Sequence, residues 1–157
     1  MRGEGRFMEK AIELATANVL DGRGGPFGAV IVRDGEIVAT GVNRVTANND
    51  PTAHAEVMAI RAAATALGSF ELKACQIYSS CEPCPMCLGA ILWARCDALY
   101  FGNTASDAAD AGFDDSAFYE EVRRAVDLRS LPTVNLLRKE ARVSFDAWRK
   151  FGQRVEY

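Results

Sequence analysis

The sequence predicts an α/β fold: a three-layer α-β-α domain in which helices cover both faces of a five-stranded mixed sheet. Segments with helical and strand-like patterns alternate along the chain in the order α-β-β-α-β-α-β-α-β-α. Such alternation is typical of a sheet whose first two strands are antiparallel and whose later strands are mostly parallel. The length of 157 residues, with no internal repeat or linker, predicts a single domain over residues 1–157.

The first half of the chain carries start and stop signals for four elements. Apolar residues recur at helical spacing before the breaker Asp21-Gly22, and Asp34-Gly35 suits a tight hairpin turn between two β-branched runs. Asp50-Pro51-Thr52 predicts the start of a further helix, since proline favours the first helical turn. The predicted elements are a helix at 7–20, strands at 29–32 and 37–40, and a helix that opens at 50–52 and ends near 67.

The second half alternates short strands with helices up to the C-terminus. Pro85 directly follows Cys84 and predicts a helix start there. A stretch of small residues then separates the fourth strand from the C-terminal elements. The predicted elements are a strand at 76–79, a helix at 84–95, a strand at 98–101, a helix from 116 to about 126, an edge strand at 134–138 and a short helix at 145–152.

Charge and cysteine content narrow the function classes. A formal net charge of −3 argues against a nucleic-acid partner, because proteins that bind its backbone usually carry a basic surface. The N-terminus lacks the apolar core of a signal peptide, and no apolar run approaches the ~18 residues that span a bilayer. These features predict a cytoplasmic protein without a membrane partner. The five cysteines, an odd number, favour metal binding or free thiols over a disulfide framework.

The single histidine and one pair of cysteines form a candidate metal site. His54 lies on the predicted helix that opens at residues 50–52, and Cys84 and Cys87 stand in a P-C-x-x-C pattern. Zinc prefers nitrogen and sulfur ligands in a tetrahedron, and three protein ligands leave one position open for water. Pro51 and Pro85 place these ligands at helix N-termini, where the helix dipole favours thiolate over thiol. One Zn²⁺ ion per subunit is therefore expected, another divalent metal of similar preference remaining open.

Glu56 is the candidate catalytic residue. It follows His54 by two positions, and residues two apart on a regular helix do not share a face, so it is a poor fourth ligand. On the first turn of the helix its carboxylate could instead reach a water activated by the metal and carry a proton to a leaving amine. The pattern H-x-E followed by P-C-x-x-C is the established signature of zinc nucleobase deaminases.

Three other interpretations of these residues stay open. A structural zinc site would be closed by a fourth ligand, for which Cys81 or Cys75 is available. A redox C-x-x-C pair would leave His54 and Glu56 without a function, and coincidence requires both motif halves to fall at helix starts by chance. Cys75 and Cys96 are otherwise expected to be buried small apolar residues, with Cys81 close to the site.

Beyond the metal motif, the sequence resembles the bacterial guanine deaminases of the cytidine deaminase superfamily over essentially the whole chain. The resemblance implies a cytidine deaminase-like fold and zinc-dependent hydrolysis of guanine to xanthine and ammonia. The metal motifs are shared with tRNA adenosine and cytosine deaminases. The segments that indicate guanine are therefore GFDDS at 112–116 and the final Glu-Tyr at 156–157. The matching segments are GGPFGAV at 24–30, Asn43, NDPTAHAE at 49–56, SCEPCPMCL at 80–88, WAR at 93–95, GFDDS at 112–116, AWR at 147–149 and EY at 156–157.

The same resemblance implies which residues contact the purine. An asparagine that follows the second strand hydrogen-bonds the base, and its amide can both donate and accept. Aromatic side chains are expected to form the pocket wall, and a carboxylate of the GFDDS block to contact the N–H donors of guanine. Each has an ordinary alternative as a turn residue, a core side chain or a helix cap. The expected substrate-binding residues are Asn43, Phe27, Ala55, Trp93, Asp114, Asp115 and Tyr157.

The C-terminal tail carries an expectation about assembly. In the resembling family the C-terminal segment is exchanged between subunits, and its final tyrosine helps to close the partner's pocket. The resemblance thus implies a homodimer in which residues from about 140 to 157 are swapped. The apolar residues Phe145, Trp148 and Phe151 must be buried somewhere, but their pattern leaves open whether this happens within one chain or between two.

Other functions remain as alternatives. A plant-type guanosine deaminase is also similar around GFDDS but differs at the C-terminus, and a tRNA adenosine deaminase fits the negative charge less well. A zinc protein that uses this fold only as a binding module is a further class. Glu56 argues against that class, because a structural site has no use for a proton carrier.

Overall fold

The computed structural model describes residues 3–157 and contains seven helices, one 3₁₀ turn and four strands in this range. The elements in chain order are α1 (Gly5–Leu20), β1 (Gly28–Arg33), β2 (Glu36–Val42), α2 (Val45–Asn48), α3 (Ala55–Leu67), β3 (Cys75–Cys81), α4 (Pro85–Trp93), β4 (Ala98–Asn103), α5 (Ala105–Asp110), α6 (Ser116–Arg123), the 3₁₀ turn (Val126–Leu128) and α7 (Arg138–Lys150). By packing, the chain forms two compact units, Met1–Tyr119 and Glu120–Tyr157.

The sheet of the first unit has the order β2-β1-β3-β4. β1 pairs antiparallel with β2 and with β3, and β3 pairs parallel with β4. The predicted hairpin is confirmed: Asp34 and Gly35 both adopt positive φ, 52° and 77°, as a two-residue hairpin turn of the I′ type requires. The sheet is thus mixed, as predicted.

The two faces of the sheet carry separate apolar clusters, which confirms the three-layer arrangement. Successive residues of β1 point to opposite faces, so alternate residues share one. Ala29 and Ile31 join a cluster with Ala59 and Ala63 of α3, whereas Val30 and Val32 pack with Phe7 and Ala11 of α1. The second cluster also holds Tyr78 of β3, whose ring stacks on Tyr100 at 4.7 Å between centroids.

Close packing of β2 on α3 determines where α3 begins. A Cβ atom at Gly41 would lie 2.2 Å from the carbonyl oxygen of Ala55 and 2.4 Å from the nitrogen of Ala59, so only glycine allows this approach. The helix ends at Gly68, whose φ of 61° suits glycine and whose position was predicted. The N-terminus of α3 is therefore held directly against the sheet.

The prediction of a fifth strand at 134–138 is wrong. In the structure the sheet described for residues 3–157 has four strands, and Leu137 adopts a left-handed conformation immediately before α7. Strand preference depends on packing against a neighbouring strand, and these residues are exposed rather than paired at a sheet edge. The final helix consequently begins at Arg138 rather than near residue 145.

Smaller differences concern helix boundaries. Asp50-Pro51-Thr52 does not open α3; it forms a turn in which Asp50 Oδ1 accepts hydrogen bonds from the nitrogen and hydroxyl of Thr52, at 2.8 and 2.6 Å. α3 begins only at Ala55. The short helices α2 and α5 were not predicted, because each is too short for a helical repeat to be recognised in the sequence. Among residues 3–157 no helix is both long and apolar enough to cross a bilayer.

The unit Glu120–Tyr157 has no core of its own. Of its 38 residues, all of which the structure describes, none is buried. Its longest element, α7, has an apolar stripe that includes Phe145 and Trp148, three positions apart and hence on one face. These two side chains line a shallow concavity together with Ser144, Glu156 and Tyr157.

Candidate active site

Two helix N-termini present the predicted metal ligands. His54 is the N-cap of α3 and Cys84 the N-cap of α4, both with extended backbone, and Pro85 occupies the first turn of α4. Cys87 follows one turn later on α4 and is fully buried. The prediction that the ligands lie at helix starts is confirmed, although Pro51 precedes its helix rather than opening it.

The three ligand atoms are close enough to share one ion. His54, Cys84 and Cys87, here called the metal group, each offer one ligand atom, and these three atoms lie within 4.8 Å of one another. His54 Nδ1 lies 3.7 Å from Cys84 Sγ and 3.5 Å from Cys87 Sγ. A tetrahedral zinc ion with Zn–S near 2.3 Å and Zn–N near 2.0–2.1 Å separates sulfur from nitrogen by about 3.5 Å. The residues present therefore fit zinc.

The electrostatics of the two thiols also fit a cation. The hydrogen bond from the Cys87 thiol lowers the pKa of Cys84 to about 4, so Cys84 is readily a thiolate. The same hydrogen bond and burial raise the pKa of Cys87. Two sulfurs this close resist double ionisation unless a positive charge lies between them, and a divalent metal supplies that charge.

Within residues 3–157, the group that could hold the metal contains three side chains and neither Cys81 nor Cys75. Cys81 lies 3.6 Å from the carbonyl oxygen of Thr104, and burial raises its pKa to about 11. Cys75 is buried in the apolar cluster beneath α3, and Cys96 packs against that cluster. The arrangement is that of an open site with three protein ligands rather than a closed structural site.

Glu56 lies beside this group without joining it. It occupies the first turn of α3, only 6% of its surface is exposed, and Ser79 of β3 donates a hydrogen bond to its Oε1 at 3.2 Å. Burial raises the pKa of the Glu56 carboxyl above its ordinary value. A buried carboxylate held in one orientation at the metal group is placed to carry protons.

The metal group opens into a cavity of about 600 Å³ in the first unit. His54, Glu56 and Cys84 form part of its floor. Four of the predicted substrate-binding residues also line it: Phe27, Asn43, Asp114 and Asp115. The cavity therefore brings together predicted substrate-binding residues that are up to 88 positions apart in the sequence, from Phe27 to Asp115.

Asn43 presents one defined end of its amide to this cavity. The residue is buried, and its Oδ1 accepts hydrogen bonds from the backbone nitrogens of Gly25 and Val45, each at 3.3 Å. Since both of these partners are donors, the oxygen must face them. The Nδ2 group, a donor, is then the end available to a ligand.

The two aspartates of the GFDDS block serve different purposes. Asp114 Oδ1 accepts a hydrogen bond from the nitrogen of Ser116 at 2.9 Å, which lowers the pKa of Asp114 and closes a turn immediately before α6. Burial and the charge of Cys84 raise the pKa of Asp115. Tyr119 connects this segment to the residue before Cys84, since its hydroxyl donates a hydrogen bond to the carbonyl oxygen of Pro83 at 2.7 Å.

Three predicted contacts are not among the residues that line the cavity. Trp93, 62% exposed, lies at the end of α4 with the Arg95 guanidinium 5.4 Å from the centre of its ring. Ala55 is the first residue of α3, and its side chain is buried in the apolar cluster between α3 and the sheet. Its backbone N–H has no partner inside the helix. Tyr157 belongs to the second unit and lines the concavity formed there.

The structure adds cavity residues that the sequence did not identify individually. Phe113 meets the ring of Phe27 edge-on at 5.0 Å, which makes an aromatic pair in the wall. Glu82 also lines the cavity, and its Oε2 accepts a hydrogen bond from the nitrogen of Ala105. Phe113 lies within the GFDDS block, and its aromatic side chain could have indicated a place in the cavity wall. Val45 and Thr46 of α2 also line the cavity, but no sequence pattern indicated this.

Comparison with known proteins gives concordant results. Residues 1–103 match the cytidine and deoxycytidylate deaminase zinc-binding region. The guanine deaminase of Bacillus subtilis is 52% identical over 151 residues, covering 96% of this chain and 97% of that protein. A crystal structure of guanine deaminase from that organism superposes with a TM-score of 0.96, at 50% identity and covering 99% of both chains.

A second kind of relative matches only part of the chain. The tRNA-specific adenosine deaminase of Agrobacterium fabrum is 48% identical over 77 residues, covering 49% of this chain and 51% of that protein. The zinc-binding region is thus shared among relatives with different named activities. Because the match to the zinc-binding region covers residues 1–103, and the structure has the corresponding His-Cys-Cys group and buried glutamate, the chain belongs to the zinc-binding cytidine and deoxycytidylate deaminase family.

Proposed function

We propose that this protein is a guanine deaminase, which hydrolyses guanine to xanthine and ammonia with one zinc ion in each subunit. The observation that carries the proposal is similarity to a guanine deaminase over 96% of the chain, which extends well beyond the zinc-binding region at residues 1–103. The cavity supports it, because an open metal group and a buried glutamate adjoin an aromatic wall and several carboxylates.

The reaction forms a carbon–oxygen bond to water and breaks the bond between the ring carbon and its exocyclic nitrogen. His54, Cys84 and Cys87 would hold the zinc ion, which when bound would supply a water that is nucleophilic near neutral pH. Glu56 accepts a proton from the attacking water and returns it to the departing nitrogen, which leaves as ammonia. The hydrogen bond from Ser79 holds the Glu56 carboxyl in place for both transfers.

Contacts in the cavity suit a flat base that has both donors and acceptors. The Nδ2 group of Asn43 donates to an acceptor atom of the base, and the Asp115 carboxylate accepts from N–H groups of guanine. The ring of Phe27, supported by Phe113, provides a face on which a purine can stack. Asp114 stabilises the turn before α6 through its hydrogen bond with Ser116, and the N–H of Ala55 is a further donor at the start of α3.

A substrate panel tests the function directly. Purified protein made with sufficient zinc is incubated with guanine, guanosine, adenine, cytosine and a tRNA anticodon arm, and ammonia and products are measured. We expect guanine to be converted to xanthine with the highest kcat/KM. Preference for guanosine would identify the protein as a nucleoside deaminase instead, and binding of the bases without any turnover would favour a non-catalytic module.

We further propose a homodimer in which residues from about 140 to 157 are exchanged and Tyr157 closes the partner's pocket. This proposal is supported by the exposed apolar stripe of α7, which a second copy would cover, and by the 73% exposure of Tyr157. Analytical ultracentrifugation that detects only monomer at micromolar concentration would contradict the dimer.

A cytoplasmic location is also proposed. The five cysteines are all free of disulfide bonds, which is typical of proteins in reducing compartments. Fractionation of cells that produce the protein should recover it with cytoplasmic markers, and recovery in an oxidising compartment would contradict the proposal.

A further inference from the structure

We propose that Asn18, a residue of α1 outside the cavity, is a positioning residue that orients the side-chain amide of Asn43 for binding the base. This inference rests on the proposed function, in which Asn43 donates a hydrogen bond to the substrate. Asn18 lies in none of the motifs that identify the family, and it does not line the cavity.

Every polar atom of the Asn18 side chain has a partner. Its Nδ2 donates to the carbonyl oxygens of Gly25 at 2.9 Å and of Asn43 at 3.0 Å, and its Oδ1 accepts from Arg44 Nη1 at 2.9 Å. The side chain is buried, with 4% of the residue exposed. Since two partners only accept and the third only donates, the amide can face only one way.

Asn18 and Asn43 hold the same glycine from opposite sides. The carbonyl oxygen of Gly25 accepts from Asn18, and the nitrogen of Gly25 donates to Asn43 Oδ1. Asn18 also holds the main chain of Asn43 itself. The two asparagines and Gly25 therefore form a closed set of hydrogen bonds, here called the asparagine clamp.

The neighbouring glycine allows the clamp to close. A Cβ atom at Gly24 would lie 2.3 Å from the carbonyl oxygen of Asn43 and 2.9 Å from Asn18 Nδ2. The loop can lie this close to Asn43 only because residue 24 has no side chain. The close approach keeps Gly25 within reach of both asparagines.

The clamp has a direct consequence for binding. If Gly25 moves, Asn43 Oδ1 keeps only the hydrogen bond from the Val45 nitrogen, and the amide is held less firmly against rotation. A rotated amide presents an oxygen to a base that needs a donor at that point, which costs a hydrogen bond in the complex. Loss of Asn18 should therefore weaken binding of the base while leaving Glu56 and the metal group in place.

Asn18→Asp tests this directly. It removes both donations to carbonyl oxygens but keeps the acceptor for Arg44. We expect KM for guanine to rise about tenfold, the size expected from one or two lost hydrogen bonds, with kcat within about twofold and zinc content unchanged. The matched control is Arg44→Met, which removes the hydrogen bond to Asn18 Oδ1 and one to the carbonyl oxygen of Arg23 but leaves both donations from Asn18 in place. It should change KM by less than about twofold.

A double-mutant cycle separates positioning from a general structural effect. In an Asn43→Ala background, Asn18→Asp should cause no further loss of kcat/KM, because the amide that it positions is absent. Equal losses in both backgrounds would overturn the proposal. If Asn18→Asp does not fold, Asn18→Ala replaces it in both backgrounds, since this variant opens the clamp without adding charge.

Hydrogen exchange tests the clamp without relying on turnover. The backbone N–H groups of Gly25 and Val45 both donate to Asn43 Oδ1, so Asn18→Asp should speed exchange at these two positions and leave Ile31 in β1 unchanged. Unchanged exchange at Gly25 and Val45 would overturn the proposal. Absence of guanine turnover by the unmodified protein would instead refute the proposed function, and the exchange result would still decide the clamp.

Discussion

The two units of the chain differ in how they use their apolar residues. In Met1–Tyr119, consecutive strand residues such as Val30 and Ile31 are fully buried on opposite faces of the sheet. In Glu120–Tyr157, apolar residues are also frequent, yet Leu136, Phe145 and Tyr157 are all well exposed. The first unit carries its own core, whereas the second carries an apolar surface.

The metal group and the cavity lie in one unit, and the exposed apolar stripe proposed for dimer contacts lies in the other. The metal group, Glu56 and the cavity all belong to the first unit, where buried strands and helix starts hold each side chain. Burying apolar area is the main favourable term in folding, so the second unit gains little stability in isolation. Its residues are suited to contacts with a second copy, as the homodimer proposal requires.

The largest expected effect is on catalysis in the first unit. Glu56→Gln keeps the size of the side chain but removes its ability to accept a proton, so kcat for guanine should fall by about 10²- to 10⁴-fold. Zinc content should stay at one per chain, because Glu56 is not part of the ligand group. Steady-state kinetics and metal analysis test this, and full turnover by the variant would refute the proposed proton carrier.

The second prediction compares equivalent truncations in the two units. Ile31→Ala opens a space in the buried cluster and should lower the free energy of unfolding by about 2–5 kcal/mol. Leu136→Ala should change it by less than about 0.5 kcal/mol when measured at concentrations where the protein is monomeric, because that side chain is exposed. Denaturant unfolding of both variants gives the comparison; similar losses would mean that the second unit has a core after all.

The third prediction concerns the apolar stripe of α7. Replacing Phe145 and Trp148 together with glutamate puts two charges where a second copy would pack, and the dimer dissociation constant should rise at least about tenfold. Lys150→Glu is the matched control, since it changes the net charge by the same amount on the opposite side of the helix. Sedimentation velocity measures both variants, and equal weakening would indicate a charge effect rather than loss of apolar contact.

The smallest effect is expected at the support of Glu56. Ser79→Ala removes one hydrogen bond to the Glu56 carboxyl, and kcat/KM for guanine should fall about 2- to 12-fold. Ser80→Ala is the matched control on the next residue, whose hydroxyl accepts from the nitrogen of Gly28 instead. If both variants lose activity equally, the effect comes from the strand and not from the carboxyl.

Much of the site could be predicted because its signals are local. His54 and Glu56 are two positions apart, Cys84 and Cys87 three, and the flanking prolines mark nearby helix starts. The hairpin at Asp34-Gly35 was predicted for the same reason, since a two-residue turn with positive φ needs few residue types. Asn43 and the GFDDS aspartates came from a family resemblance and not from such local chemistry.

The predictions that failed depended on partners distant in the sequence. Residues 134–138 have strand-like composition, but a strand exists only where a sheet edge accepts it. The contribution of Phe113 to the cavity wall depends on its contact with Phe27, 86 positions earlier. The function of Asn18 could not be read from its surroundings in α1, because its partners Gly25 and Asn43 come from other segments.

The sequence by itself determined the ligand types, the helix starts that carry them and the turn that begins the sheet, since each depends on backbone preferences and side-chain chemistry of neighbouring residues. Only the tertiary structure decided the number of strands, the wall of the cavity and the asparagine clamp. These features are set by which surfaces exclude water together and which buried polar groups find partners, and both conditions involve segments far apart along the chain.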